Sequence, residues 1–468
     1  MEESGETVYI VGTSTFPGRL RERLECRRIV AWRDGAFPRW RSIDSSSLSD
    51  HRLVTTTERR RVTTSPTVSR VLLARGLRAF GDGYVSLLLP VYLLKLGFGP
   101  LAVGAIATAT LLGSGLLTLS VGLYAARFRL RSLLLAATAL MAGTGIGFAF
   151  VHDFWPLALI AVIGTLNPSS GDVSVFLPLE HAALSEVVSD RQRTGAFARY
   201  SLTGSLVGAL GSLAAGIPAW LTHASGVGEL AALQAMFVLY AVIAGVAALA
   251  YRGLAAGLHD RGVAERGRAA PARARVTPLQ SSRRIVLTLA ALFSLDAFAG
   301  GFVVQSLLAL WLFQRFSLSL AAAGTLFFWT GVLTAGSYLV AVRIAKRFGL
   351  VNTMVFTHLP SSLCLIAIPF LASVPGVIAL LFVRAALSQM DVPTRSSFVM
   401  AVVPASERAA AAGVTSVPRS LASASSPLLA GYLLGLSAFG WPLVLAGALK
   451  IAYDLLFLAL FRRKAAMR

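Results

Sequence analysis

Twelve predominantly apolar stretches of 18 or more residues dominate this chain, and they constrain its fold more than any other feature. They fall at about 76–95, 101–125, 132–150, 155–178, 195–220 and 230–250, then at about 285–312, 318–342, 350–371, 375–398, 410–436 and 441–461. Roughly 20 apolar residues in a helix cross the hydrocarbon core of a bilayer, where the backbone must satisfy its own hydrogen bonds. Composition agrees: 55% of the 468 residues are hydrophobic and 14% charged, where a soluble domain is about 25% charged. A soluble enzyme, a disulfide-framed secreted protein and a nucleic-acid binder are thereby excluded. The expected fold is an all-α integral membrane bundle with the lipid bilayer as its solvent.

The formal net charge is +21, and 39 of the 43 basic residues are Arg. Membrane proteins concentrate Lys and Arg in cytoplasmic loops, and the loops here divide sharply. Those after the second, fourth, sixth, eighth and tenth stretches carry 17 basic residues, among them Arg127, Arg129, Arg131, Arg343, Lys346 and Arg347; the opposite loops carry only Lys95 and Arg315. This bias predicts a multi-pass protein of the cytoplasmic membrane with both termini inside. Residues 1–66 hold 12 Arg and nine acidic residues without an apolar run. They read as a disordered basic cytoplasmic tail rather than a secretory signal. Residues 252–284, with eight Arg, Pro271 and Pro278, read as a cytoplasmic linker between six-helix bundles at 67–251 and 285–462, and 463–468 as a short cytoplasmic tail. Cys26 and Cys364 lie too far apart in the chain to suggest a disulfide framework or a zinc site.

The halves repeat. Gly81 matches Gly301, Lys95 matches Arg315, Gly104 matches Gly324, Arg127 matches Arg347, Arg199 matches Arg419 and Gly211 matches Gly431, each pair 220 positions apart. Asp172 matches Asp391 at an offset of 219. Two related six-helix halves place a substrate path at the interface between them.

The loop after the second stretch reads Gly122, three residues, Ala126, Arg127, Phe128, Arg129, Leu130, Arg131. With the twelve stretches and the repeat, it resembles the loop motif of the major facilitator superfamily of secondary transporters, over about residues 70–462. Gly122, Arg127 and Arg131 match that motif; Ala126 stands where it has Asp, and Arg129 where it has a second Gly. The second-half copy, Lys346-Arg347-Phe348-Gly349, keeps the basic residue and the Gly. Met390-Asp391-Val392-Pro393-Thr394-Arg395 is similar to a poorly characterised bacterial branch. The resemblance implies twelve transmembrane helices in two pseudo-symmetric bundles, working by alternating access.

Charged side chains at membrane depth are costly and usually mark pathways or relays. Asp296, followed by Gly300, Gly301 and Gln305, is the leading candidate for a proton-coupling or cation-binding carboxylate. Arg78 and Asp82, four apart, share a helix face and read as an internal ion pair or a binding element. The fourth stretch contains Asn167, Pro168, Gly171, Asp172 and Glu180, where Pro and Gly predict a kink with freed carbonyls. The tenth repeats the theme with Asp391, Pro393 and Arg395. Asp172 or Glu180 is expected to meet Arg199, and Asp391 to meet Arg419, as gating ion pairs.

None of the four lysines follows a Gly, so no phosphate-binding loop exists, and no His-Glu metal motif is present. The expected protein is therefore no enzyme and carries no cofactor or metal. The leading expectation is a monomeric secondary transporter of a small molecule that exports its cargo by proton coupling through Asp296 and Asp82. The alternatives are proton symport of a polar or anionic metabolite, with Arg78 or Arg384 as counter-charge, and a non-transporting membrane sensor or scaffold.

Overall fold

The computed structural model describes residues 66–124, 127–169, 174–254, 282–404 and 407–465. Residues 1–65, Ala126, Asp172 and most of the expected linker lie outside these. The first part of the chain forms helices α1 (Pro66–Lys95), α2 (Pro100–Tyr124), α3 (Leu130–Phe150), α4 (Phe154–Ile163), α5 (Phe176–Val187), α6 (Asp190–Leu213), α7 (Ile217–Ser225) and α8 (Glu229–Arg252). The second part forms α9 (Arg283–Gly301), α10 (Gln305–Phe316), α11 (Leu320–Phe348), α12 (Leu350–Ala367), α13 (Val374–Ser388), α14 (Asp391–Val402), α15 (Arg408–Leu436) and α16 (Trp441–Ala465). Each of the twelve apolar stretches contains helix where described, and nine helical stretches among the described residues are long and apolar enough to cross a membrane.

The first helix begins ten residues before its apolar stretch, at Pro66. A Pro in the first turn lacks only an N–H that the helix would leave unpaired. Arg75 and Arg78 are buried rather than solvated, so the helix runs on past the hydrophobic boundary.

Three stretches are broken. Between α4 and α5, Asn167 Oδ1 accepts hydrogen bonds from the backbone N–H (3.0 Å) and the hydroxyl (2.8 Å) of Ser169. This local turn competes with helix continuation around Pro168. The chain turns at Phe302–Val304 between α9 and α10, just after Gly300 and Gly301, and at Gln389 and Met390 between α13 and α14. Pro393 falls in the first turn of α14, where proline is tolerated. Irregular backbone at membrane depth is stable only inside protein or along a wet cavity, so the breaks face inward.

The loop motif shows why its two copies differ. Gly349 joins α11 to α12 at φ +83°, a left-handed conformation that favours glycine. Its repeat partner Arg129 precedes α3 at φ −68°, which any residue adopts. Gly122 has open space around it, Arg127 stands 5.6 Å from the Tyr124 ring, Arg131 is half-buried, and Arg347 stands 5.5 Å from the Phe348 ring.

The halves meet through α2 against α15, α6 against α11, and α1 against α10. The first two contacts exchange under the 220-residue offset. A Cβ on Gly104 would lie 2.9 Å from Gly431 Cα, and one on Gly324 would lie 2.5 Å from the Ser212 carbonyl oxygen. Without side chains at these points, the helix backbones cross in direct contact.

Candidate functional site

The first polar cluster grows from one face of α1, where Arg75, Arg78 and Asp82 are all buried. The Arg78 guanidinium pairs with Glu180 of α5, which is fully buried. Tyr200 of α6 donates its hydroxyl to Glu180 Oε2 at 2.5 Å, and Tyr251 of α8 donates to Oε1 at 2.6 Å. The Phe176 ring, one turn before Glu180, lies 3.9 Å from the Arg78 guanidinium carbon. Asp82 Oδ1 accepts the Tyr240 hydroxyl at 3.1 Å. A charge buried this completely needs an opposite charge and hydrogen bonds to be stable, and four helices converge on the Arg78–Glu180 pair, which leaves Arg78 Nε without a hydrogen bond.

The second cluster ties α9, α12, α14 and α16. Asp296 accepts from Arg395 Nη2 through Oδ2 and from Lys450 Nζ through Oδ1, both at 2.8 Å. Arg395 also pairs with Asp391, one turn earlier on α14, and stands 5.1 Å from the Phe293 ring. Lys450 Nζ lies 3.5 Å from His358 Nε2, and His358 Nδ1 lies 3.0 Å from each carboxylate oxygen of Asp454. Three carboxylates thus face the Arg395 guanidinium, the Lys450 amine and one imidazole.

Two expected gating pairs are corrected. Glu180 pairs with Arg78 and not with Arg199, which is exposed. Tyr200 occupies the face of α6 that looks at Glu180, and its neighbour Arg199 points about 100° away around the helix. Asp391 pairs with Arg395 and not with Arg419, which is also exposed. The remaining candidate partner, Asp172, lies outside the described residues. Arg78 and Asp82 share a face as expected, yet Arg78 is directed to Glu180 and Asp82 takes a tyrosine hydroxyl.

His358, Lys450 and Asp454 had no place among the sequence candidates. Lys450 and Asp454 are four residues apart in an apolar stretch, the same signal that marked Arg78 and Asp82. Gln305 opens α10 and is half-buried; Arg384 is half-buried on α13. Among the described residues, no group of three or more His, Cys, Asp or Glu side chains is placed to hold a metal ion.

Hydrogen bonds join the halves beside the breaks and crossings. The Ser306 N–H donates to the Pro168 carbonyl at 3.1 Å, and the Leu428 N–H donates to Thr108 Oγ1 at 3.0 Å. From there the helices splay. Along α2 and α15, the space at Gly104 is closed by Gly431, a Cβ on Gly115 would only touch Ser420 at 4.0 Å, and Gly122 and Gly413 meet nothing. Along α6 and α11, a Cβ on Gly331 would lie 2.7 Å from Ala209 Cβ, whereas Gly336 meets nothing. The halves therefore touch at their basic-poor ends and part towards their basic-rich ends.

Thr108→Val should weaken this contact, since it leaves the Leu428 N–H without its acceptor at a net cost of about 1 kcal/mol. Spin labels at Gly99→Cys and Gly435→Cys, at the basic-poor ends of α2 and α15, should then show roughly fivefold more of the separated population. Thr108→Ser should behave as wild type. Equal distance distributions in all three chains would discount the bond.

A family model described as Major Facilitator Superfamily matches residues 71–383. The chain belongs to the major facilitator superfamily. As a member, it is a multi-pass membrane protein with a transporter's fold rather than an enzyme's. The uncharacterized membrane protein YJR124C of Saccharomyces cerevisiae is 24% identical to it over 410 residues, covering 82% of this chain and 92% of the yeast protein. Among solved structures of the superfamily fold, the inward-open conformation of the xylose transporter XylE from E. coli superimposes with a TM-score of 0.65 at 14% identity. That match covers 83% of this chain and 95% of XylE. The nucleoside transporter NupG superimposes with a TM-score of 0.64 at 13% identity, covering 85% of this chain and 100% of NupG. At these identities the likeness carries the fold alone.

Proposed function

We propose that this secondary transporter exports a small molecule in exchange for protons, with the basic-rich end in the cytoplasm and the second cluster as the coupling site. The single observation that carries this reading is Asp296, buried at membrane depth and held between Arg395 and Lys450, each from a different helix. A carboxylate whose cationic partners sit on separate helices links a change in its protonation to their packing. The splayed basic-rich end, in the proposed orientation, opens the path to the cytoplasm. Symport with Arg78 as counter-charge has less support, because Glu180 already neutralises that guanidinium.

The test is proton movement in inside-out vesicles with an acidic lumen, screened against a broad panel of amphipathic compounds. The wild-type chain should alkalinise the lumen when its compound is added. Asp296→Asn should reduce that flux at least tenfold. Silence across the panel would favour symport or a non-transporting role. Alkalinisation that survives the substitution would remove Asp296 from coupling.

A further inference from the structure

The second cluster contains one side chain that neither the superfamily resemblance nor the role of Asp296 accounts for. His358 is 2% exposed on α12, and its two ring nitrogens face opposite charges. Nδ1 lies 3.0 Å from both oxygens of Asp454, which fixes its proton on that side. Nε2 is left as the acceptor, and it looks at Lys450 Nζ at 3.5 Å and Asp296 Oδ1 at 3.9 Å. A neutral ring can accept from Lys450. A ring that also carries a proton on Nε2 cannot, since two donors and two positive charges would then face each other at hydrogen-bond distance.

We propose that His358 takes up the coupling proton and that its protonation transfers Asp296 from Lys450 to His358. This rests on the reading of the second cluster as the proton-coupling site, and it moves the proton acceptor from the carboxylate to the imidazole. The step moves one proton and no electrons. Nε2 takes the proton from water, Lys450 Nζ withdraws, and Nε2–H donates to Asp296 Oδ1 after closing about 1 Å of the present gap, to a normal hydrogen-bond length. Release of the proton to the other side restores the Lys450 contact.

Three carboxylates, Asp296, Asp391 and Asp454, surround Arg395, Lys450 and the imidazole. Tyr453 of α16 has its ring centroid 6.1 Å from the His358 ring, and Arg419 of α15 adds a further cation near Asp296 and Asp391. Every partner in the exchange sits on a different helix except Lys450 and Asp454, which share α16. Withdrawal of Lys450 therefore changes how α16 is held against α9 while Asp454 keeps α16 on α12. Pro360, two residues beyond His358, removes a main-chain hydrogen bond from α12 and lets that helix flex beside the ring.

The experiment reads the imidazole itself. The full chain, labelled with 15N only at histidine and held in lipid nanodiscs, is examined by NMR between about pH 5 and 8, the range in which imidazoles exchange protons. The His358 resonances are assigned by their absence in His358→Gln. The expected result is a neutral ring protonated on Nδ1 at the upper end and an imidazolium at the lower end. In parallel, spin labels at Gly122→Cys and Gly413→Cys, at the open end of α2 and α15, should show a distance distribution that follows pH in wild type and is fixed in His358→Gln.

A ring that keeps one charge state throughout would overturn the proposal, as would a pH-dependent distribution that persists in His358→Gln. If His358→Gln does not fold, Asp454→Asn serves for assignment, because it removes the carboxylate from Nδ1, and the ring's charge state decides. A fixed ring with proton-driven flux intact would sink the His358 assignment and spare the transport reading. A titrating ring without any proton-driven flux would do the reverse.

Discussion

Glu180→Leu should leave little folded protein, whereas Arg78→Met should be tolerated better. Removing one partner of a buried ion pair costs about 3–5 kcal/mol, and two tyrosine hydroxyls, those of Tyr200 and Tyr251, also lose their acceptor. Each such buried hydroxyl adds about 1–3 kcal/mol. The sum approaches the whole stability of a typical domain, about 5–15 kcal/mol. The asymmetry between the partners follows from their chemistry. An orphaned guanidinium cannot shed its proton, but an orphaned Glu180 can neutralise itself by taking one and keeps both tyrosine donors. Arg78→Met combined with Glu180→Leu removes both charges and should recover part of the loss. Gel-filtration recovery after heating in detergent measures the order: wild type, then Arg78→Met, then the double variant, then Glu180→Leu. If Glu180→Leu melted with wild type, this cluster would have no role in holding α1, α5, α6 and α8 together.

Gly104→Val and Gly431→Val should each abolish closure at the basic-poor end and with it the transport cycle. A Cβ at Gly104 would meet Gly431 Cα at 2.9 Å, and one at Gly431 would meet Gly104 Cα at 2.8 Å; backbone on both sides cannot swing away as a side chain can. Overpacking of this kind costs roughly 1–3 kcal/mol even where neighbours relax, which corresponds to a shift of about fivefold to more than a hundredfold in the closed population. The separation between labels at Gly99→Cys and Gly435→Cys should widen, and Gly324→Val should act alike through Ser212 in the repeat-related contact. Gly122→Ala, where nothing is near, is the control. A wild-type distance and flux in Gly104→Val would mean that the crossing helices need not touch for the cycle to run.

Some of this was legible without a structure. The position of each apolar stretch depends only on local hydrophobicity over a membrane's thickness. The bias of Arg between loops and the 220-residue offset are properties of the chain in one dimension. Even the glycines of the crossings, Gly104, Gly324 and Gly431, stood out as repeats, although nothing in their spacing told that Gly104 would lie on Gly431. The breaks in the fourth and tenth stretches announced themselves through Pro168 and Pro393.

The ionic partners did not. Helical periodicity relates a residue to its own turn neighbours, so Arg78 was read with Asp82, and Glu180 was read with an arginine on the adjoining helix. Arg78 in fact finds Glu180 across 102 positions, and Asp296 finds Lys450 across 154. Those pairings depend on which helices the bundle brings side by side and how each is rotated about its axis. Rotation is set by many weak packing contacts summed over the whole interface. The sequence by itself determined that the chain lies in a membrane as helices in two related halves. Only the tertiary structure decided that His358, Lys450 and Asp454 join Asp296, because burying each charge requires partners that no single helix carries.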